Sequence, residues 1–359
     1  MTRSEIAQQR LQTQHLVSPK LTRPVDVVKW FGAMQAQDYA GAKWSLAQRM
    51  TGATDADIEG AFTRGEILRT HLMRGTWHFV APSDIRWVLA LTAPRQRIAL
   101  ASYSRKMGLD AAEVRKSNKT MTRALRGGRQ LTREALRDAL HRNGIAADGL
   151  RFIFLLAYAE LDAVICSGAR EGKQFTYTLL DDRVPETKPL ARDKALAELA
   201  WRYVRSHGPA TLADFVWWSG LTTGDARTAI AMVAKRLASF ESDGKTYWMA
   251  SDAEPAGEPS TTAYLLPTYD EFLIAYKDRS ASIDHERSSD MRLNPQLISH
   301  LMIGGQRIGA WKRSMTKAST TIELDSYSPI RKKEKRAIAE AASKFGAFLG
   351  AQKLVISDW

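Results

Sequence analysis

One order of segments occurs three times along the chain and constrains its fold more than any other feature. In each occurrence, stretches with the apolar spacing of amphipathic helices precede a run of β-branched and aromatic residues typical of a strand or hairpin. These runs lie at 67–80 around Gly75, at 172–180, and between Phe240 and Trp248. Helices followed by a hairpin form the order of a winged-helix module. The sequences of the three occurrences are not similar, so the repeat is one of element order.

The residues after 250 have a different character. Residues 251–260 have the Pro, Gly and Ser content of a linker. Beyond them, strand-forming runs, a turn at Gly304-Gly305 and a closing amphipathic helix at 329–350 predict a small β domain. The predicted fold class is mainly α with β (α+β), with three tandem winged-helix domains and a small C-terminal β-barrel-like domain. The expected domain boundaries are 1–110, 111–188, 189–250 and 251–359.

The charge of the chain indicates its class of partner. Its 359 residues include 52 basic and 39 acidic residues, a formal net charge of +13. This excess favours a polyanion, either nucleic acid or an anionic membrane surface. No apolar run approaches the roughly 18 residues of a membrane-spanning helix, and no signal-type segment is present, so we expect nucleic acid. The single cysteine, Cys166, excludes an intramolecular disulfide and fits a reducing cytoplasm.

A pair of glutamines follows the helix predicted over Val25–Met34. Gln35, Ala36 and Gln37, here called the amide segment, precede Asp38. On a regular helix the two glutamine side chains would diverge, whereas in an extended segment they would point the same way. The segment by itself is compatible with a polar helix end capped by amides or with a site where both amides face one small target.

Sequence motifs for cofactors, metals and nucleophilic catalysis are absent. There is no phosphate-binding loop, no His-Glu-x-x-His pair and no Gly-x-Ser-x-Gly turn. His71 and His78 are seven positions apart on a predicted hairpin, which places them on opposite faces of a regular strand. We therefore expect no cofactor and no metal site. The carboxylates further on have structural interpretations, with Asp270 as a helix cap and Asp278 paired with Arg279.

The predicted helices are poor in side chains that read bases. The helix predicted at 150–166 is rich in apolar residues and is typical of a core. The helix predicted at 224–237 offers only Arg227, Lys235 and Arg236. Base reading needs several Arg, Lys, Asn or Gln side chains on one exposed face. These patterns favour phosphate contacts over sequence-specific recognition.

Several blocks of the sequence resemble the bacterial winged-helix DNA-binding family that contains the AlkZ-type and YcaQ-type DNA glycosylases. The blocks are Asp26–Leu46, Arg69–Val80, His207–Thr211 and Leu266–Leu273. The resemblance extends from about residue 10 to the β region. It implies three tandem winged helices and a small β domain forming a concave DNA-binding body. It also implies excision of N-alkylated purines from DNA, including cross-linked purines in some members.

The resemblance also implies the catalytic residues. The family signature is Gln-apolar-Gln in the AlkZ type and Gln-apolar-Asp in the YcaQ type. Gln35 and Gln37 match the AlkZ type, because Asp38 comes one position too late for the other type. We expect Gln37 to hold the attacking water and Gln35 to fix the water or the sugar. Asp38 is the rival general base or charge stabiliser.

The chemistry of carboxamides narrows the expected substrate. An amide cannot act as a general base near neutral pH, but it can orient water. A purine alkylated at N7 or N3 is already cationic and leaves without protonation. The expected substrates are therefore cationic N-alkylated purines, with bulky or interstrand cross-linked adducts as an extension. We expect a monofunctional enzyme, since lyase chemistry needs a well-placed lysine and only Lys43 is nearby in the sequence.

The expected partner is double-stranded DNA that contains alkylated purines, bound by a monomer in the cytoplasm at the nucleoid. The hairpin at Gly304-Gly305, with Trp311 close by, is expected to probe a DNA groove. The residues predicted to contact DNA are Lys43, Arg69, Arg74, His78, Arg227, Lys235, Arg236, Gln306 and Arg307.

Two other functions fit the same scaffold. A non-catalytic DNA-binding protein or transcriptional regulator predicts sequence-selective footprints and no abasic product. A partner-binding scaffold predicts only nonspecific DNA binding that depends steeply on salt. Incubation with N7-methylated DNA distinguishes both from a glycosylase, because only a glycosylase produces alkali-labile sites.

Overall fold

The computed structural model describes residues 1–17, 20–257, 261–284, 298–316 and 319–357. Its first helix, α1 (Arg3–Thr13), begins after Thr2. The Thr2 hydroxyl accepts a hydrogen bond from the Glu5 backbone, and the Glu5 carboxylate accepts one from the Thr2 backbone. This reciprocal pair satisfies two amides of the first turn and sets the start of the helix.

The first unit contains the amide segment. Its elements are α2 (Pro24–Phe31), β1 (Met34–Gln35), α3 (Tyr39–Gln48), α4 (Asp55–Arg64), β2 (Leu68–His71) and β3 (Trp77–Val80). The strands form an antiparallel sheet of order β1-β3-β2. The helix predicted to reach Met34 ends at Phe31, because Gly32 takes a φ of 82° that other residues rarely adopt.

The second unit repeats this order of elements behind a long helix, α5 (Pro82–Lys106). Its elements are α6 (Ala111–Leu125), β4 (Leu131–Thr132), α7 (Arg133–Arg142), α8 (Gly149–Leu161), β5 (Ile165–Ser167), β6 (Thr176–Leu179) and α9 (Leu180–Arg183). The strand order β4-β6-β5 matches that of the first unit. The helix predicted at 150–166 is shorter than expected, since the chain turns after Leu161 and Cys166 lies in β5.

The third unit has the same order with a reduced first strand. Its elements are α10 (Arg192–His207), α11 (Leu212–Ser219), α12 (Thr223–Val233), β7 (Leu237–Ser242) and β8 (Lys245–Ala250). A single antiparallel bridge between Ala210 and Trp248 of β8 takes the place of the first strand. The hairpin of β7 and β8 turns at Asp243-Gly244, within the run predicted between Phe240 and Trp248.

The C-terminal part is an open sheet covered by a helix. Its elements are β9 (Ala263–Leu266), α13 (Glu271–Ile274), β10 (Ser299–Ile303), β11 (Gln306–Met315), β12 (Thr320–Ser326), α14 (Lys332–Leu349) and β13 (Leu354–Ser357). The sheet order is β13-β12-β11-β10-β9, and within the described ranges β13 and β9 remain its two edges. The expected barrel-like closure is therefore wrong. α14 covers the apolar face instead, with the Phe345 ring 5.2 Å from the ring of Trp311.

The packing of the cores determines where the units meet. The first unit shares one apolar core with the C-terminal sheet, through residues such as Phe79 and Trp311. It shares a second core with the third unit, through residues such as Val80 and Trp218. The second unit has a core mainly of its own, around Leu155. No helix in the described ranges combines the length and apolar character that crossing a membrane requires.

Candidate functional site

The amide segment is extended and not helical. Gln35 lies opposite His78 in the register of β1 and β3, and the Ala36 amide donates to the Trp77 carbonyl at 2.7 Å. This settles the open choice between a helix end and an extended segment. It also separates the two glutamines by environment, because Gln35 is only 8% exposed whereas Gln37 is exposed.

Gln35 is held at both its backbone and its side chain. Its backbone amide donates to Glu271 Oε1 at 2.7 Å. Its side-chain Oε1 accepts a hydrogen bond from Arg74 Nη2 at 2.7 Å. Glu271 belongs to the C-terminal part and Arg74 to the turn between β2 and β3, so two separate segments fix the position of Gln35.

Glu271 is a buried carboxylate that joins three parts of the molecule. Besides Gln35, it accepts hydrogen bonds from Trp218 Nε1 at 3.1 Å and from His207 Nε2 at 3.3 Å. Burial raises the pKa of Glu271, but the bonds from His207 and the Gln35 backbone outweigh that effect and lower the pKa overall. Burial lowers the pKa of His207 more than Glu271 raises it. The arrangement keeps Glu271 ionised behind the amide segment.

Arg74 is turned inward from the connection of β2 and β3. Its backbone has a φ of 56°, in the left-handed region that is strained for a residue with a side chain. Besides Gln35, its Nη1 lies 3.4 Å from the carbonyl oxygens of Trp217 and Ile274. Burial lowers the pKa of Arg74, and the nearby Glu271 raises it. The guanidinium is thus engaged with protein groups of the third unit and the C-terminal part.

Gln37 and Asp38 form the exposed end of the site. The Gln37 Oε1 accepts one long hydrogen bond, from the Trp77 backbone amide at 3.4 Å. Asp38 caps α3, because its side chain accepts from the Gly41 amide at 3.2 Å. A Cβ at Gly41 would lie 2.5 Å from Asp38 Oδ2, so this close cap requires glycine. Gln37 is loosely held and Asp38 has a structural role.

Arg69 fixes the middle of the amide segment from the other face of the sheet. Its Nε donates to the Ala36 carbonyl at 2.9 Å. Its guanidinium lies 4.4 Å from the Trp77 ring and 4.6 Å from the Phe175 ring. Burial lowers the pKa of Arg69. Cation–π contacts of this kind hold the guanidinium in place, so Arg69 supports the segment while its side chain reaches an open groove.

The groove beside Arg69 lies between the first and second units and has a volume of about 910 Å³. Its walls combine cations, aromatic rings and apolar side chains. They include Arg69, Trp77, Arg133, Glu134, Arg137, Leu150, Phe152, Lys173, Phe175 and Tyr177. One acidic residue against four basic ones gives the groove the charge that a phosphate backbone requires.

Comparison with known proteins also indicates a protein that acts on DNA. The family described as DNA glycosylase AlkZ-like matches residues 28–348. This chain belongs to the AlkZ-like DNA glycosylase family. It is 24% identical over 329 residues, 84% of this chain and 85% of the relative, to an interstrand DNA cross-link repair glycosylase of Streptomyces sahachiroi. Its fold matches the solved structure of the Streptomyces sahachiroi DNA glycosylase AlkZ with a TM-score of 0.80, at 20% identity over 99% of each chain.

Two other predicted DNA contacts of this AlkZ-like chain lie inside the first unit. His78 has no exposed surface, and its Nδ1 lies 2.9 Å from the Thr76 carbonyl. Burial and the neighbouring Arg74 lower the pKa of His78 to about 4. Lys43 is 4% exposed, and its ammonium pairs with Asp55 at 2.7 Å and Glu59 at 2.8 Å. The geometry supports a structural role for both residues and offers DNA no surface at either.

The remaining predicted contacts lie far from the amide segment along the chain. Arg227, Lys235 and Arg236 are exposed on α12 and the turn after it. Gln306 donates to the Ala281 carbonyl at 2.8 Å, and Arg307 is buried.

The hairpin expected to probe a groove is packed against the protein. Its Gly305 approaches Ala7 of α1, since a Cβ there would lie 3.2 Å from the Ala7 Cβ. Trp311 is buried, with its Nε1 donating to the Leu266 carbonyl at 2.9 Å. The turn therefore does not project as a free probe.

Sequence reasoning missed the residues that support Gln35 from a distance. No role was predicted for Glu271, whereas its neighbour Asp270 was predicted as a helix cap, and that prediction is confirmed by the bond of Asp270 to the Phe272 amide. Asp278 was expected to pair with Arg279, but it pairs with Lys245. Trp218 and His207 lie more than 50 residues from Glu271. No local pattern marks such long-range partners.

Proposed function

We propose that this chain is a DNA glycosylase that excises cationic N7- or N3-alkylated purines, with Gln35 and Gln37 as its catalytic residues. The observation that carries the proposal is the amide segment itself, anchored at Gln35 and exposed at Gln37. A firmly held amide beside a loosely held one can position a water and a substrate together. Membership in the AlkZ-like family supplies the reaction class.

The protein needs only to position the water and the substrate, because the alkylated purine is already activated as a leaving group. The positive charge on the alkylated purine weakens its bond to the deoxyribose. Gln37 orients the attacking water through its carbonyl oxygen. Gln35 holds its part of the substrate in a fixed position, and no group needs to protonate the base.

We propose that the three units are winged-helix modules, with boundaries near 110, 188 and 250, and that together they bind duplex DNA. The groove walls contribute Arg133, Arg137 and Lys173 as phosphate contacts. Arg227, Lys235 and Arg236 extend the contacts to the third unit. The acidic start of α4, at Asp55 and Asp57, does not suit base reading, so the regulator alternative gains no support.

The groove is lined by Arg69 and Trp77 and not by Gln35 or Gln37, and it offers room next to the amide segment for adducts larger than a methyl group. A volume of about 910 Å³ exceeds what a single base needs and is not enclosed by the protein. The relative from Streptomyces sahachiroi is named for interstrand cross-link repair. We propose that bulky and cross-linked N-alkylpurines are substrates of this chain as well. The enzyme would act as a monomer on nucleoid DNA in the cytoplasm.

The rival role of Asp38 as a general base has its own test. Asp38→Asn retains an N-cap residue for α3, because Asn caps helices about as well as Asp. We expect excision of 7-methylguanine to stay within about threefold of wild type, since the carboxylate serves the cap. A loss of about 100-fold would assign the base to Asp38.

Incubation of the purified chain with N7-methylated duplex DNA tests the function. We expect release of 7-methylguanine and strand breaks that appear only after alkali treatment. Breaks without alkali would indicate lyase activity and contradict the monofunctional assignment. That assignment is supported by Lys43, the lysine near the amide segment in sequence, whose ammonium is engaged in ion pairs. Tight, sequence-selective binding without base release would overturn the proposed function.

A further inference from the structure

We infer that Arg74 is a positioning residue that turns the Gln35 carboxamide so that its amino end serves as a hydrogen-bond donor to the leaving base. Gln37 is then the member of the pair that accepts from water. This division of roles rests on the proposed glycosylase function. It assigns Arg74, predicted from sequence as a DNA contact, to the chemistry of the site.

The orientation of the Gln35 amide follows from the nature of its partner. A guanidinium has five donors and no acceptor, so only the amide oxygen can face Arg74. The Gln35 backbone is independently fixed by Glu271. Within the described part of the chain, the Gln35 Nε2 makes no hydrogen bond to protein. The amino end is therefore the part of Gln35 that remains for a ligand.

A donor at this position helps only one side of the reaction. As the C1′–N9 bond breaks, its electron pair stays with the purine and cancels the charge of the alkylated ring. The water oxygen bonds to C1′ and releases one proton to solvent. A donor aimed at the sugar would oppose its developing positive charge, whereas a donor to a purine acceptor becomes stronger as electrons arrive. The Gln35 Nε2 thus suits the base and not the sugar.

A nearby carboxylate compensates for the positive charge that Arg74 places close to the reacting sugar. Arg74 alone would place a cation beside an oxocarbenium-like sugar. The ionised Glu271 is bonded to the Gln35 backbone, and its negative charge offsets the positive charge of Arg74, which is bonded to the Gln35 side chain. The contacts of Arg74 with the carbonyls of Trp217 and Ile274 hold the guanidinium in its strained turn. Lysine, with a single point charge, could not reproduce this fork.

Four variants test the inference in one set of assays. Arg74→Met removes the positioning group, Gln35→Glu keeps the bond to Arg74 but replaces the amino donor by an oxygen, and the double variant combines them. Arg192→Met is the control, because Arg192 is an exposed arginine that pairs only with Asp225 at 2.9 Å among the described residues. Each variant is measured for single-turnover excision of 7-methylguanine at saturating protein, for affinity and its salt dependence on undamaged duplex, and for melting temperature.

We expect excision to fall about tenfold in Arg74→Met, since the amide loses its fixed geometry, and about 100-fold in Gln35→Glu, since the donor is gone. The double variant should be no slower than Gln35→Glu alone, because Arg74 acts through Gln35. Affinity for undamaged DNA and its salt dependence should match the control in all variants.

Other outcomes overturn the inference. Arg74→Met with unchanged excision, weaker DNA binding and a salt slope smaller by about 0.9 would make Arg74 a phosphate contact. Wild-type excision in Gln35→Glu would exclude the donor role, and this variant carries the test if Arg74→Met does not fold. Absence of excision by the wild-type chain overturns the proposed function and the inference together, whereas excision by wild type isolates the inference.

Discussion

The first and second units share a strand order but differ in how the first strand leads into the next helix. In the second unit, Thr132 is the last residue of β4 and also caps α7, with its hydroxyl accepting from the Ala135 amide at 3.2 Å. In the first unit, β1 ends at Gln35, and the cap of α3 is Asp38. Ala36 and Gln37 therefore lengthen a connection that is minimal in the second unit.

The third unit has the same short connection as the second unit. There the bridging residue Ala210 is followed directly by Thr211, which caps α11 in a reciprocal pair with Asp214. The comparison indicates that the shared element order provides the connection between first strand and helix, whereas the residues in that connection determine whether it can act chemically. Only in the first unit do extra residues leave an amide exposed at that place, with Glu271 and Arg74 behind it.

The largest expected effect comes from the carboxylate behind the first unit. Glu271→Ala leaves the Gln35 amide, the Trp218 indole and His207 without their acceptor in the interior. We expect the free energy of unfolding to fall by about 3–5 kcal/mol. Thr132→Ala, which removes only a helix cap in the second unit, should cost about 1 kcal/mol. Denaturant unfolding measures both, and equal losses would break the contrast between the units.

How much of this could be foreseen depends on the range of the interaction. Local patterns predicted the hairpin around Gly75, the hairpin between Phe240 and Trp248 and the closing amphipathic helix, because each is set by neighbours in sequence. Asp270 was also predicted as a cap and is one. These features require no knowledge of the tertiary fold.

Long-range features could not be foreseen. Gln35 and Glu271 are 236 positions apart, and nothing near either residue indicates the other. The inward turn of Arg74 depends on the carbonyls of Trp217 and Ile274, which belong to other parts of the fold. The barrel-like closure was wrong for the same reason, since strand content does not determine whether the edges β9 and β13 meet.

Between about pH 6.5 and pH 4, the first unit's buried histidine should contribute to the pH dependence of stability. The folded protein keeps His78 neutral, with a pKa lowered to about 4 from 6.5, while the unfolded chain takes up a proton below about pH 6.5. Stability should therefore fall as the pH is lowered from about 6.5 to about 4, by about 3 kcal/mol at 1.36 kcal/mol per pKa unit. His207 acts in the same direction, because its pKa is also lowered.

His78→Gln isolates this contribution. The variant removes one of the two groups, so its free energy of unfolding should decline less steeply over the same pH range. Urea unfolding at several pH values measures the slope. A slope identical to that of wild type would show that His78 accepts its proton in the folded state as readily as in the unfolded chain.

The smallest effects are expected at the proposed phosphate contacts of the third unit. Each of Arg227→Ala, Lys235→Ala and Arg236→Ala should lower the slope of log K against log salt by about 0.9 if the residue contacts one phosphate. Lys43→Met in the first unit should leave the slope unchanged, because its ammonium is paired with Asp55 and Glu59. Binding to undamaged duplex at several salt concentrations measures the slope. A reduction for Lys43→Met equal to the others would remove the distinction.

Single-turnover excision of 7-methylguanine by Gln35→Ala, Gln37→Ala and Thr132→Ala tests most directly whether the chemistry resides in the lengthened connection of the first unit. We predict a loss of about 100-fold for each glutamine variant, since each removes one positioned amide. The wild-type rate should persist in Thr132→Ala at a temperature where that variant is folded. Full activity in both glutamine variants, or an equal loss in Thr132→Ala, would contradict the account.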